Sequence, residues 1–262
     1  MKKIALTSLL AVFAVSGANA ANVINNNPLY RPGEGRFYSI TSVGSHTQSA
    51  NEFSAKEELG YGITDRLAIA IATSAEQANW FDTASWGDIE LGVNYRAIDM
   101  GAWKADLFGG YSMNPVWGDH KPFMDKDISE YTWTAGVRAG YATDAWTVAG
   151  HIAFDYTNTE SFNWDDDAFA SHKLRAGLDG QLVLCPKWNA VAGVEYNADL
   201  DNWSDNLGYW TGLLGLNYNI DETKFVGAYV TKEMTHVNEE DVSGKWEIAD
   251  GFGFGVKFGI DF

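Results

Sequence analysis

The chain has 262 residues, 18 Lys and Arg against 35 Asp and Glu, a formal charge of −17 and a mean hydropathy of −0.21. That hydropathy is too low for a bundle of membrane helices, and the single cysteine, Cys185, rules out an intramolecular disulfide. Aromatic residues make up 14% and Gly numbers 27, a combination that suits a closed sheet in which only every second residue faces lipid.

Residues 1–20 read as a secretory signal. Lys2 and Lys3 form the charged start, Ile4 to Val15 are largely apolar, and Ala18-Asn19-Ala20 is a small-residue cleavage site. The apolar run is too short for a helical span, and no Cys follows the cleavage site, so neither an anchor nor a lipoprotein is expected. The mature chain would start near Ala21. Residues 21–36, with Asn25-Asn26-Asn27-Pro28 and Pro32-Gly33, read as an irregular periplasmic lead-in; a partial plug folded into a barrel mouth is the alternative.

From residue 37 onward about twelve segments alternate with period two, the pattern of a strand with two unlike faces. Their spans are 37–45, 52–62, 67–76, 87–97, 102–112, 129–141, 145–156, 170–182, 188–198, 207–220, 224–235 and 249–262. Tight turns rich in Asp, Gly and Pro fall at 63–66, 98–101, 142–145, 185–187 and 221–223. Longer connections fall between them, at 77–86, 113–128, 157–169, 199–206 and 236–248. Short-long alternation predicts an all-β, antiparallel, up-and-down transmembrane barrel over 37–262 with both ends on one side.

Outward faces carry rings at both ends of the strands. Tyr61, Tyr95, Trp103, Tyr141, Trp146, Trp188, Tyr218, Phe225 and Phe262 mark the short-turn end. Tyr111, Tyr131, Trp133, Phe154, Tyr156, Tyr196, Trp210 and Phe252 mark the long-loop end. Amphipathic rings settle at headgroup depth, so two such girdles fit a membrane barrel better than a soluble sandwich. The first two strands fit less well. The faces of 37–45 are mixed, and Glu57 shares a face with Phe53, Ala55, Leu59 and Tyr61, which calls for a bulge or a one-residue shift.

The last strand, 251–262, sets Phe252, Phe254, Val256, Phe258, Ile260 and Phe262 on one face and Gly251, Gly253, Gly255, Lys257, Gly259 and Asp261 on the other. Alternating apolar residues ending in an aromatic resemble the C-terminal assembly signal of Gram-negative outer-membrane proteins. That resemblance implies an outer-membrane location, contact with outer-membrane lipid and lipopolysaccharide, and Phe254, Val256, Phe258, Ile260 and Phe262 as the segment read by the barrel-assembly machinery.

Charge placement bears on function. Without Lys2 and Lys3 the mature charge is near −19. The inward faces are expected to carry Lys56, Arg96, Lys104, Arg138, Lys173, Arg175, Lys232 and Lys257 against Glu58, Asp88, Glu90, Asp106, Glu130, Asp155, Asp179, Glu195 and Asp261. These nearly balance, which places the excess in the long connections: Asp119, Asp125, Asp127, Asp165 to Asp167, Asp199, Asp201, Asp205 and Glu239 to Asp241. Clustered loop carboxylates solvate a surface, and they also suit divalent cations. Candidate pore-lining residues are Arg96, Lys104, Asp106, Arg138, His151, Asp155, Lys173, Arg175, Asp179, Glu195 and Lys257.

Barrels of this size include enzymes. An outer-membrane phospholipase needs a Ser two residues from a His, and none of His46, His151 or His172 has one. Omptin-like proteases use Asp-Asp and Asp-His pairs at the rim; Asp119-His120 and Asp165-Asp166 resemble these only loosely. No phosphate-cradling Gly motif, metal-ligand spacing or basic aromatic surface for nucleic acid appears, and no cofactor is expected. Among channels of this size, acidic-sugar pores line the lumen with basic residues and nucleoside pores with aromatic ones. The lumen here mixes signs, with Phe108 and Tyr209 its clearest inward rings. The expectation is a passive channel for small hydrophilic solutes. A filled, structural or surface-interaction barrel comes second and an outer-membrane hydrolase third.

Overall fold

A computed structural model describes residues 27–47, 49–78, 83–114, 129–160, 169–201, 208–239 and 242–262. The export segment with Ala18 and Ala20, and the loop residues Asp119, His120, Asp125, Asp127, Asp165 to Asp167, Asp205 and Asp241, lie outside the described residues.

Thirteen strand segments build twelve staves: β1 (Phe37–His46), β2 (Ser49–Gly62), β3 (Leu67–Ala78), β4 (Thr83–Met100), β5 (Trp103–Asn114), β6 (Ser129–Ala142) and β7 (Trp146–Glu160) form the first seven. Next come β8 (Phe169–Cys185), β9 (Trp188–Asp199), β10 (Tyr209–Asn219) and β11 (Lys224–Glu239), and the last stave is β12 (Val242–Ile248) continued by β13 (Gly253–Asp261). Each stave pairs antiparallel with its sequence neighbours, β12 and β13 both lying against β11, and β1 pairs with β13 from Tyr38↔Asp261 to His46↔Gly253. The sheet is thereby closed and has no edge to cap.

Several strands exceed their sequence spans: β4 reaches Met100, β7 reaches Glu160 and β8 reaches Cys185. Apolar alternation is demanded only within the lipid band. Beyond it, water meets both faces while the ladder bonds continue, so pairing outlasts the pattern. The last stave is interrupted between Ile248 and Gly253, where Gly251 has φ 72° and the Lys232 Nζ donates to its carbonyl.

Glu57 needs neither a bulge nor a shift. Within β2 the register to β1 and β3 is regular from Phe53 to Tyr61, and Glu57 faces outward, accepting hydrogen bonds from Ser39 (2.6 Å) and Thr41. The face assignment of β11 is corrected. Val226, Ala228, Val230 and Lys232 point outward, while Phe225 (1% exposed) is packed inside against Tyr38. Both faces of this strand carry apolar residues, so alternation alone left its phase open, and the pairing with β10 decides it.

The turn between β10 and β11 is held by Asp221, whose carboxylate accepts from the Thr223 backbone and hydroxyl and from Lys224. These donors lower its pKa to about 2. A carboxyl depressed in the folded state stabilises above its unfolded pKa and loses that effect as pH falls through the folded one. A carbon-detected NMR titration should therefore place Asp221 near 2, below the roughly 3.9 of a free aspartate. A normal value would refute the arrangement.

Candidate functional site: the polar lumen

The inward face is polar along most of its length. Arg96, Asp106, Arg138, His151, Asp155, Arg175 and Glu195 are all buried in the wall, and Lys104, Lys173, Asp179 and Lys257 are partly exposed along it. Buried charges need partners, and most of these have one on another stave. Arg96 on β4 binds Asp106 on β5 through two nitrogens. Arg175 on β8 makes a two-point contact with Asp155 on β7 (2.6 and 3.0 Å), and Thr134 donates to the same carboxylate. Lys56 on β2 reaches over β3, where the inward residue is the small Ala72, to Glu90 on β4 at 2.7 Å. Lys104 does not share Asp106, which Arg96 occupies; it pairs with Asp99 at 2.8 Å.

His151 lies between two carboxylates, with Nδ1 3.1 Å from Asp179 and Nε2 2.8 Å from Glu195. The second contact crosses β8 at Gly177, where a Cβ would press on the imidazole. With a carboxylate at each nitrogen, the ring ties β7, β8 and β9 together at one level.

The inward acids exceed the sequence expectation. Glu76 and Glu233 join them, and Lys232 leaves the basic set. Glu58, Glu76, Asp88, Glu90 and Glu130 gather on the wall of β2, β3, β4 and β6, with Lys56 the nearest cation; Asp88 feels the charge of all but Glu58. Neutral carboxamides complete the wall. Asn94, Asn189, Asn217 and Gln181 are at most 5% exposed, yet Asn94 and Asn217 have no protein partner at either side-chain atom. Asn189 Oδ1, Gln181 Nε2, Asn197 Nδ2 and Glu195 Oε1 are also without one.

Residues 27–36 enter the short-turn mouth as a strap. Pro28, Leu29 and Pro32 are buried. The Leu29 carbonyl accepts from Arg96 (2.5 Å) and the Pro28 carbonyl from Arg138 (3.4 Å). On the far side Tyr30 donates to Asp261 of β13 at 2.8 Å, and Arg36 lies 3.5 Å from the same carboxylate. The strap thus joins β13 to β6, half the circumference away. It passes so close to the end of β2 that a Cβ on Gly62 would land on the Gly33 and Pro32 carbonyls. The proline and asparagine content showed an irregular segment; nothing in it pointed to the arginines of β4 and β6.

At the long-loop rim His172 is fixed by Asp201, which accepts at 2.8 Å from Nδ1 and at 2.6 Å from the backbone. These bonds lower the Asp201 pKa. Aromatic neighbours Phe154 and Tyr156 flank the imidazole.

A closed twelve-stave antiparallel barrel with an apolar exterior, aromatic girdles and a polar interior is the fold of outer-membrane barrels. Comparison with solved structures agrees. The chain is similar to the NanC porin (9% identity, TM-score 0.58, covering 85% of this chain and 98% of that one). It is also similar to the KdgM porin in complex with disordered oligogalacturonate (7%, TM-score 0.53, 86% and 99%). A third is the translocator domain of the autotransporter NalP from Neisseria meningitidis (13%, TM-score 0.51, 98% and 95%). At these identities the likeness is one of fold. No family model matches the chain, and no curated protein matches it.

Proposed function

We propose that the barrel is a passive outer-membrane channel for small hydrophilic solutes, narrowed at its short-turn mouth by the strap of residues 27–36. The observation that carries this reading is the inward face itself: it is polar along most of its length, and Asp88, Glu90, Lys104, Lys173 and Asp179 on it stay partly exposed, so the wall offers charged groups to water or a hydroxyl-bearing solute. Purified protein in planar bilayers is expected to give discrete conductance steps, and an electrically silent barrel would refute the proposal.

The acidic wall of Glu58, Glu76, Asp88, Glu90 and Glu130 favours cations and neutral solutes over anions. A polyanion such as the oligogalacturonate named with the KdgM porin would meet like charge here. In a potassium chloride gradient the reversal potential should show cation preference, and Asp88→Lys with Glu90→Lys should reverse its sign. Anion preference in the unaltered protein would remove this part of the reading.

Export by cleavage after Ala20, delivery of the Phe262 strand to the barrel-assembly machinery and divalent-cation binding by the loop acids belong to the same proposal. A second reading, a structural barrel with a filled lumen, is supported by the ion pairs that bridge staves at Arg96–Asp106, Lys56–Glu90 and Arg175–Asp155. It predicts silence both with the strap and without it.

A further inference from the structure

The inward face of β9, β10 and β11 carries an acidic pair away from the acidic wall of β2 to β6. One pairing row runs Glu195↔Thr211↔Glu233, so two carboxylates flank one hydroxyl, with backbones about 10 Å apart across two strand spacings. Glu195 is 3% exposed; its Oε2 meets His151, and its Oε1 has no partner among the described residues. Glu233 is half-buried, and among the described residues nothing donates to its carboxylate. Tyr209 holds the next inward position of β10, diagonal to both acids, and feels the charge of both. Leu213 flanks the row on its other side. Arg175 lies 3.9 Å from Glu195 but is held by Asp155 through two nitrogens, and Lys232 points outward. A buried carboxylate oxygen without a donor is costly, and an aromatic face beside it attracts cations.

We propose that Glu195, Glu233 and Tyr209 form a lumen site for a small organic ammonium. An ammonium has N–H groups for the two carboxylates on either side of Thr211, and its carbon chain covers the Tyr209 ring and Leu213. A potassium ion would answer the charge and leave the ring and the leucine uncovered. An anion would meet like charge, and a neutral alcohol would forgo the charge-assisted bonds. β10 stands opposite β4 in the twelve-stave ring, so the acids of both walls draw the same class of solute. The site deepens the channel reading, on which it rests for access from water.

The test places the whole folded chain in lipid nanodiscs and follows butylammonium by saturation-transfer NMR, which reads binding without conduction. Mildly alkaline buffer keeps the carboxylates and the ammonium charged. Saturable transfer to butylammonium is expected, with none to butanol or butyrate. Glu233→Gln and Tyr209→Leu should each weaken binding severalfold, while Tyr209→Phe, which keeps the ring, should retain most of it. Heat-modifiable gel mobility shows that each variant is folded. Folded protein that does not bind butylammonium, equal binding of butanol, full displacement by equimolar potassium, or an affinity indifferent to Glu233→Gln or to Tyr209→Leu would overturn the site. Bilayer conductance is read separately: a conducting barrel that fails to bind overturns the site alone, and a silent barrel that binds overturns the channel alone.

Discussion

Deleting residues 27–35 is expected to raise single-channel conductance severalfold and to leave the barrel folded. The strap crosses the short-turn mouth from Asp261 to Arg96 and Arg138, and its buried Pro28 and Leu29 occupy lumen cross-section at that level. Gly62→Val should act the same way without shortening the chain, because a branched side chain there cannot coexist with the Gly33 and Pro32 carbonyls. The two changes share only the displacement of the strap, so agreement between them assigns the effect to it. Bilayer recordings of both against the unaltered protein make the check. Conductance unchanged in both would show that the constriction lies elsewhere.

Asp106→Ala is expected to cost about 3 kcal/mol of barrel stability, because it strands a buried guanidinium whose principal ion partner it removes. Asp99, 3.6 Å from Arg96 and largely exposed, offers only a weak substitute. Replacing both members, Arg96→Met with Asp106→Leu, should recover most of the loss, since a well-packed apolar pair carries no desolvation penalty. The double change also frees the Leu29 carbonyl, so it should increase conductance while restoring stability. Urea unfolding in phospholipid vesicles, followed by tryptophan fluorescence, separates the two. Equal losses in the single and double variants would refute the ion-pair account.

The barrel was legible because its two strongest rules are local. Period two and turn chemistry need only neighbouring residues, and they placed all twelve staves and the short turns between them. Where they failed, the deciding information was remote. Phe225 and Lys232 exchanged faces because β11 is apolar on both sides, and only its ladder with β10 sets the phase. Glu57 looked like a register fault because its partners, Ser39 and Thr41, sit on another strand. The candidate lumen residues pointed inward by parity alone. Their pairing did not follow from it: Arg96 reaches Asp106 from ten residues away in sequence, while Lys104, two residues from Asp106, pairs with Asp99. The strap was the least legible part, since carbonyl–arginine contacts leave no trace in residue type.

The closing seam has a kinetic meaning. Phe37 and Phe262 exchange backbone hydrogen bonds, so the first stave cannot gain its second partner until the last one arrives. Nearly the whole chain must be looped to form that ladder, and long-range pairing of this kind is slow. Until then both edges of an otherwise complete sheet stay unpaired at the same time. The interval before closure is therefore when the chain is most open to capture by another strand, and substitutions along β1 or β13 should lengthen that interval more than equivalent changes on β7.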